Sequence, residues 1–322
     1  MYAASAVQSQ RLRHGAVLFG AVLAFVAVEA AAQPVKLRWL GVAGFTIEAG
    51  DSVLVLDPYL SRPGLLRCLF CRYRPNPEVL APWLLPDGPT PELGRAGLIL
   101  VGHSHFDHLG DVPWIASQTG ARIAGTRTTA AISEGYGADP ARLLELAPGD
   151  ETSEGVFDVR AVASEHARVL FGKVPLDGEV SEVPKAPCHV LSFKMGGAIG
   201  YLITHRPSGL RLFTLSSAGL DRQALPGVLA DGGRIDVLLP AIAGRAEGYA
   251  ELLVKHLRPR WVVPHHFDNF FVGLDDPDAG TPIDPEDLAA FEAEMLAAAE
   301  HEGIDLSIRR LSLFESWSVP AP

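Results

Sequence analysis

Cysteine is scarce: the chain has three, Cys68, Cys71 and Cys188, in 322 residues. One Cys-x-x-Cys pair without a second cannot complete a four-cysteine zinc ribbon, so that class of structural metal is excluded. Basic runs are missing as well. Lys and Arg number 27 against 38 Asp and Glu, a net charge of −11, and no positive stripe is available to hold a phosphate backbone. Nucleic acid is therefore not an expected partner. No internal repeat of about 20–50 residues occurs, which excludes solenoids and propellers. With a hydrophobic fraction of 48% spread along the chain, extended disorder is excluded too.

Long apolar runs are also absent. The longest, Gly15 to Val28, is short for a spanning helix and ends at Glu29. Arg11 and Arg13 precede it, and Ala30-Ala31-Ala32 follows. A basic start, an apolar stretch and a small-residue site read as a cleaved export signal over residues 1–32, in preference to an uncleaved anchor. The remaining 33–322 are long enough for one large domain. Without the first 32 residues the balance is 25 basic against 37 acidic, a net charge of −12. Export places the protein in the periplasm or outside the cell, with no membrane span after cleavage. That compartment is oxidising, so a disulfide is expected among the three cysteines, either local or through Cys188.

The rest of the chain alternates short strand and helix signals. Val35–Leu40, Gly44–Ile47 and Ser52–Leu56 read as antiparallel strands, with Asp57-Pro58 ending the third. Residues 61–93, rich in Pro, Arg and Leu, read as a long surface excursion. Its Arg72-Tyr73-Arg74 turn either reads an anionic substrate or is a solvated basic turn, and the second is preferred. Leu98–Val101 is a buried strand, followed by a helix that Asp111 would cap. Residues 188–219 read as hairpins turning at Gly196-Gly197 and Pro207-Ser208-Gly209. A last helix opens at Asp284-Pro285, buries Leu288, Phe291, Met295 and Leu296, and stops at Gly303. "LSIRRLSLF" reads as a final strand. Two halves of similar character suggest two packed sheets with helices outside.

The segment "GHSHFDHLGD" (102–111) crowds three of the chain's 11 histidines behind that buried strand. His103 and His105 alternate, so on extended chain they point the same way; Asp107 and His108 follow at the turn. Imidazole nitrogens and carboxylate oxygens are the ligands of hydrolytic zinc sites. A dication neutralises a cluster that would otherwise be costly to bury. A solvated loop with chance histidines is the weaker reading.

"HSHFDH" resembles the His-x-His-x-Asp-His signature of the metallo-β-lactamase superfamily. "LGVAGFTIEAGDSVLVLDP" looks like that family's opening hairpin, with its strand-end acid at Asp57. The resemblance spans nearly all of residues 35–322. It implies an α/β fold, a four-layer αββα sandwich with two metals at one edge of the sheets. His166 in "ASEHA" stands where a third histidine of site one belongs. "VVPHHFDNF" is similar to the final-histidine segment of the lactonase-like branch, which aligns His266 with the ligand and leaves His265 as a neighbour or substrate-facing group. The implied sets are His103, His105 and His166 for one Zn2+, and Asp107, His108 and His266 for a second, with Mn2+ or Fe2+ as substitutes. His14, His189, His205, His256 and His301 lack a matching context. One departure stands out. Where the family usually bridges its metals with an Asp, "LFTLSSAGL" has Ser217, a weak ligand, with Asp221 the nearest acid; the second metal should bind more weakly.

The resemblance implies a metal-dependent hydrolase that uses a zinc-bound hydroxide, with Asp107 as the catalytic carboxylate. The implied substrate is a small molecule: an ester, lactone or phosphodiester. A periplasmic β-lactam hydrolase is the alternative, and a non-catalytic metal-binding protein a second. Oligomeric state is not legible.

Overall fold

The computed structural model describes residues 33–169 and 171–322. The expected export signal, residues 1–32, lies outside the described residues.

Two seven-stranded sheets carry the fold. The first contains β1 (Lys36–Gly41), β2 (Gly44–Ala49), β3 (Ser52–Leu56), β4 (Leu98–Leu100), β5 (Arg122–Gly125), β6 (Leu143–Glu145) and β14 (Ser316–Ser318). Its order is β14-β1-β2-β3-β4-β5-β6. The second contains β7 (Glu151–Glu154), β8 (Phe157–Ser164), β9 (Ala198–His205), β10 (Leu210–Leu215), β11 (Val237–Pro240), β12 (Trp261–Val262) and β13 (Ser307–Ile308), in the order β13-β12-β11-β10-β9-β8-β7. Each sheet joins an antiparallel meander to a parallel run: β3 to β6 in the first, β10 to β13 in the second.

Period-two alternation explains the layering. On β3, Leu54 and Leu56 face the other sheet, whereas Val53 and Val55 face outward, and all four are buried. β4 does the same, with Leu98 and Leu100 inward and Ile99 outward. The inner faces meet Phe157, Val159, Tyr201 and Leu212 of the second sheet. Outward residues of the first sheet pack on α4 (Val112–Thr119) and α5 (Arg127–Gly135) through Ile115 and Ile132. Those of the second pack on α6 (Tyr249–Leu257) and α7 (Pro285–Glu302) through Leu253, Leu257, Phe291 and Met295. The result is the expected αββα sandwich.

Several local expectations are corrected. Leu296 of α7 is 47% exposed; the apolar stripe continues through Ala298 and Ala299 instead. Residues 188–195 form no strand, only a 3-10 turn at Val190–Ser192, so Gly196-Gly197 introduces β9 rather than turning a hairpin. The expected last strand, 306–314, is a strand only over β13, which ends the second sheet; β14, beyond it, crosses to pair with β1. The excursion at 61–93 holds two short helices, α1 (Leu65–Phe70) and α2 (Pro77–Leu80), and buries Arg62, Cys68, Tyr73 and Leu80. Cys68, Cys71 and Cys188 are free thiols, so the expected disulfide does not form. Burial pushes the Cys68 thiol up to about 11, leaving it a packed, unreactive group.

Arg62 ties this excursion to the rest. Its Nη2 donates to Asp268 Oδ2 at 2.8 Å, both side chains are fully buried, and Asp268 Oδ1 accepts from Val42 N at 2.9 Å. Gly41 has φ +89 and no Cβ, and a Cβ there would fall 1.8 Å from Arg62 Nη2. Removing one partner leaves the other as an unpaired buried charge. Asp268→Ala should therefore lower unfolding free energy by about 3–5 kcal/mol in a urea titration. A change within experimental error would show that Arg62 does not depend on this partner.

Candidate metal centre

Strand ends of both sheets meet at one edge, and the histidines arrive there from three directions. β4 delivers the first group. After Leu100 the chain is held by Gly102 N donating to Asp57 Oδ1 at 2.8 Å, and by Ser104 N donating to the Met195 carbonyl at 3.0 Å. His103 leaves at a bend and His105 on extended backbone; then a single helical turn, α3 (Phe106–Leu109), presents Asp107 and His108. His166 follows β8. His266 follows β12 at φ +59, a left-handed backbone uncommon for a histidine, with its amide bonded to the Val42 carbonyl at 3.0 Å.

The six residues form two sets of three. In the first, His103 Nε2 lies 3.1 Å from His105 Nδ1, and His166 completes a ring of three imidazoles with centroids 4.6 to 4.8 Å apart. The far nitrogens of two are occupied: His105 Nε2 donates to the Pro175 carbonyl at 2.9 Å, and His166 Nδ1 to the Ala167 carbonyl at 2.7 Å. Those bonds fix tautomers that aim lone pairs at the centre. In the second set, His108 Nε2 and His266 Nε2 are 3.3 Å apart, and each is 3.6 Å from Asp107 Oδ2. Ligands about 2.0–2.1 Å from a tetrahedral zinc lie about 3.3–3.4 Å from one another. The spacing therefore fits a cation at the centre of each set, and the donor chemistry fits zinc, manganese or iron.

Electrostatics point the same way. Burial holds His103 well below the usual imidazole range, helped by cationic His108, and pushes His105 down to about 3 against the pull of Asp107. Burial lowers His166 as well. Neutral imidazole is the form that ligates. For Asp107, burial opposes ionisation, but His108 and His266 overcome it and hold the carboxyl well below the usual range. His108 is the mirror case: burial lowers it, and Asp107 and Asp57 more than restore it.

Around these six stand groups whose roles the sequence did not disclose. Asp57 Oδ2 accepts from Ser216 Oγ and lies 3.2 Å from His108 Nδ1, close enough for charge attraction though not aligned as a hydrogen bond. Asp111 does not cap α4. Its carboxylate accepts from Leu60 N and Ser61 N, both at 2.7 Å, and from Tyr73 Oη at 2.8 Å. Tyr73 is thereby buried in the core, while Arg72 bonds the Pro187 carbonyl at 3.0 Å and Arg74 is exposed. His265 is neither a ligand nor substrate-facing; it is fully buried, bonded to the Leu239 carbonyl at 3.1 Å and edge-on to Phe45. Ser217 Oγ accepts from Ala167 N at 3.0 Å, beside His166. Asp221 instead holds its own turn through Gln223 N and Ala224 N.

The centre opens between two unlike walls. Phe106 and Phe270 meet edge-on at 6.0 Å, Phe270 lies 4.5 Å from Phe271, and Phe270 stands edge-on to His266 at 6.1 Å. On the His166 side a cleft of about 360 Å³ is lined by Glu165, Arg168, Arg222 and Arg245. Arg245 is engaged by Asp287 and Glu294. A larger cleft, about 680 Å³, lies over β7 to β10 and includes none of the six residues.

Comparison with known proteins agrees with this fold. Residues 36–266 match the family model described as the beta-lactamase superfamily domain. A metal-dependent hydrolase of Anaeromyxobacter sp. (strain K) is 30% identical over 251 residues, 75% of this chain and 78% of that one. Another, of Thermococcus onnurineus, is 28% identical over 281 residues, 84% of this chain and all of the relative. Among solved structures, a metallo hydrolase of Ignicoccus hospitalis superposes with a TM-score of 0.55 at 18% identity, covering 88% of this chain and 97% of its own. The diiron β-hydroxylase CmlA of Streptomyces venezuelae gives 0.56 at 14%, covering 89% and 54%. These two show a shared fold.

Asp57→Asn keeps an acceptor for Gly102 N but removes the negative charge that faces His108. Affinity for a metal in the second set should fall about 10–100-fold, with the first set unchanged, in a chelator competition titration. Equal loss at both sets would mean that Asp57 supports the fold rather than His108.

Proposed function

The chain belongs to the beta-lactamase superfamily and is a metal-dependent hydrolase, and from that premise we propose that it cleaves an ester, lactone or phosphodiester at a two-zinc centre. The observation that carries this reading is the pair of three-residue sets on one edge; a three-ligand set is the number that catalytic zinc takes when it keeps a position for water or substrate. His103, His105 and His166 would hold the first ion, and Asp107, His108 and His266 the second. Bound there, zinc supplies a Lewis acid and lowers the pKa of a coordinated water toward neutrality.

The chain's own groups do the rest. Asp107, ionised throughout the neutral range, accepts a hydrogen from the attacking water and orients it. Asp57 steadies the ring of His108. Phe106, Phe270 and Phe271 exclude water on one side and take the apolar part of the substrate. Arg168 and Arg222, on the cleft beside His166, meet an anionic phosphodiester or the carboxylate released from an ester. The Arg72-Tyr73-Arg74 turn, for which a solvated role was preferred, takes no part in this reading. Ser217, already committed to Ala167 N, leaves the two sets without a bridging carboxylate. The second ion is accordingly the weaker, and the space favours a bulky acyl group. That same space supports β-lactam hydrolysis as the second reading.

We propose in addition that residues 1–32 export the chain. N-terminal sequencing of protein from its host should then begin at or near Gln33; an intact Met1 on a soluble cytoplasmic product would refute it. The test of the reaction is a panel of short-chain esters, lactones, phosphodiesters and cephalosporins, with metal content measured on the same sample. Turnover is expected on one class. His103→Ala should fall to background, because two imidazoles cannot hold the first ion in an open tetrahedral geometry. His266→Ala should keep one metal per chain and lose mainly the second. Full metal with no turnover on any class would sink the reaction proposed here.

A further inference from the structure

Exposed large apolar side chains are usually scattered singly. Here they gather. Leu65, Leu66, Leu69 and Phe70 of α1 are 48%, 72%, 51% and 79% exposed, and Leu191 is 58% exposed. The two segments touch: His189 Nε2 donates to the Leu69 carbonyl at 2.8 Å, and Arg72 pairs with His189 in a single bridge. Of the six residues of α1, only Cys68 is buried. A helix that turns its apolar side chains to solvent is paying a hydration cost that its own fold does not recover.

Charge identifies what covers it. From Ser61 to Asn76 there is no Asp or Glu, and Arg67, Arg72 and Arg74 are exposed beside the leucines. In a chain of net charge −11 this combination of basic and apolar residues is local. A second copy docked two-fold would set the arginines of one patch against those of the other, a like-charge contact. An anionic surface with an apolar interior suits both features.

The patch also leads to the metal edge. A Cβ placed on Gly64, the residue that precedes α1, would lie 4.0 Å from the Phe271 carbonyl. From Phe271 the ring contacts run to Phe270 and on to His266. Cys68, the buried residue of α1, packs in the same apolar cluster as Phe106, Phe270 and Phe271, so apolar packing joins the base of the exposed helix to the second ligand set.

We propose that α1 and Leu191 dock the protein on an anionic lipid bilayer, with the leucines and Phe70 at the headgroup boundary and Arg67, Arg72 and Arg74 against lipid phosphates. Resting on the hydrolase reading above, the substrate class becomes an amphiphile whose acyl chain follows the phenylalanine track. This is surface docking, distinct from spanning; no described helix is long and apolar enough to cross a membrane.

The test is co-sedimentation of the chain, as isolated from its host, with sucrose-loaded vesicles of phosphatidylglycerol and phosphatidylcholine, or of phosphatidylcholine alone. Binding is expected to the anionic vesicles and to weaken with salt. Leu66→Glu with Phe70→Glu should cut it at least tenfold. Arg67→Gln, Arg72→Gln and Arg74→Gln together should lower it by about fivefold per arginine and flatten the salt dependence. All five positions lie outside the metal centre, so turnover of a water-soluble substrate should be unchanged. Patch-dependent binding supports docking whether or not any panel substrate turns over, which keeps this idea separable from the reaction. Docking is overturned if wild type fails to sediment, or if the Glu variant sediments equally. It is also overturned if wild type is a dimer in analytical ultracentrifugation and the Glu variant a monomer.

Discussion

The Asp57 carboxylate sits at the end of β3, on a backbone with φ +35, where the two sheets and the metal edge come together. One oxygen takes the amide of Gly102, which starts the histidine loop of the first sheet. The other takes the hydroxyl of Ser216, the first residue beyond β10 of the second sheet, and faces the His108 ring. A single anion therefore fixes the separation of the sheets at their open end and the aim of one ligand. A buried charge of this kind persists only with such partners. Asp111 and Asp268 repeat the device on either side, one gathering the chain after Leu60, the other gathering Val42 and Arg62. Three buried carboxylates thus frame a centre whose own ligands are mostly imidazoles.

Much of this was legible in the residues. Ser52–Leu56 is a strand with the bounds its pattern suggests, because β-branched and leucine residues there alternate between two buried faces. His103, His105, Asp107 and His108 announce themselves by density, whereas His166 and His266 stand out only through the family resemblance. The structure brings all six together, although what they bind is proposed here. The framing groups were harder to see. Asp57 was visible only as a strand-end acid, Asp111 looked like a helix cap, and Tyr73 looked like part of a basic turn. Each acts through a distant partner, 38 positions from Tyr73 to Asp111 and 159 from Asp57 to Ser216. Local pattern carries no record of such pairings. His265 and His266 make the same point at the smallest scale. Adjacent and chemically identical, they divide into a core residue and a site residue because the backbone turns left-handed at the second.

The two walls of the centre are chemically unlike, and that asymmetry orients any substrate. Aromatic rings on the His266 side disfavour charge, and guanidinium groups on the His166 side disfavour a bare hydrocarbon. A molecule with one apolar and one anionic end has a single comfortable orientation across the centre. Orientation of that sort contributes to rate as well as to selectivity, since it removes freedom before the bond is attacked.

The pairing of β14 with β1 has a consequence for how the chain is closed. Val319 N donates to the Val35 carbonyl at 2.8 Å, so residues near the two ends of the sandwich are hydrogen-bonded neighbours. Val42, at the other end of β1, touches His266. The seam between positions 35 and 319 therefore lies a full strand length from His266, about 3.3 Å for each residue of β1. Topologically the sandwich is nearly a ring. A few added residues would join it there, and the sequence could be reopened at a surface loop as a circular permutant with its mouth undisturbed.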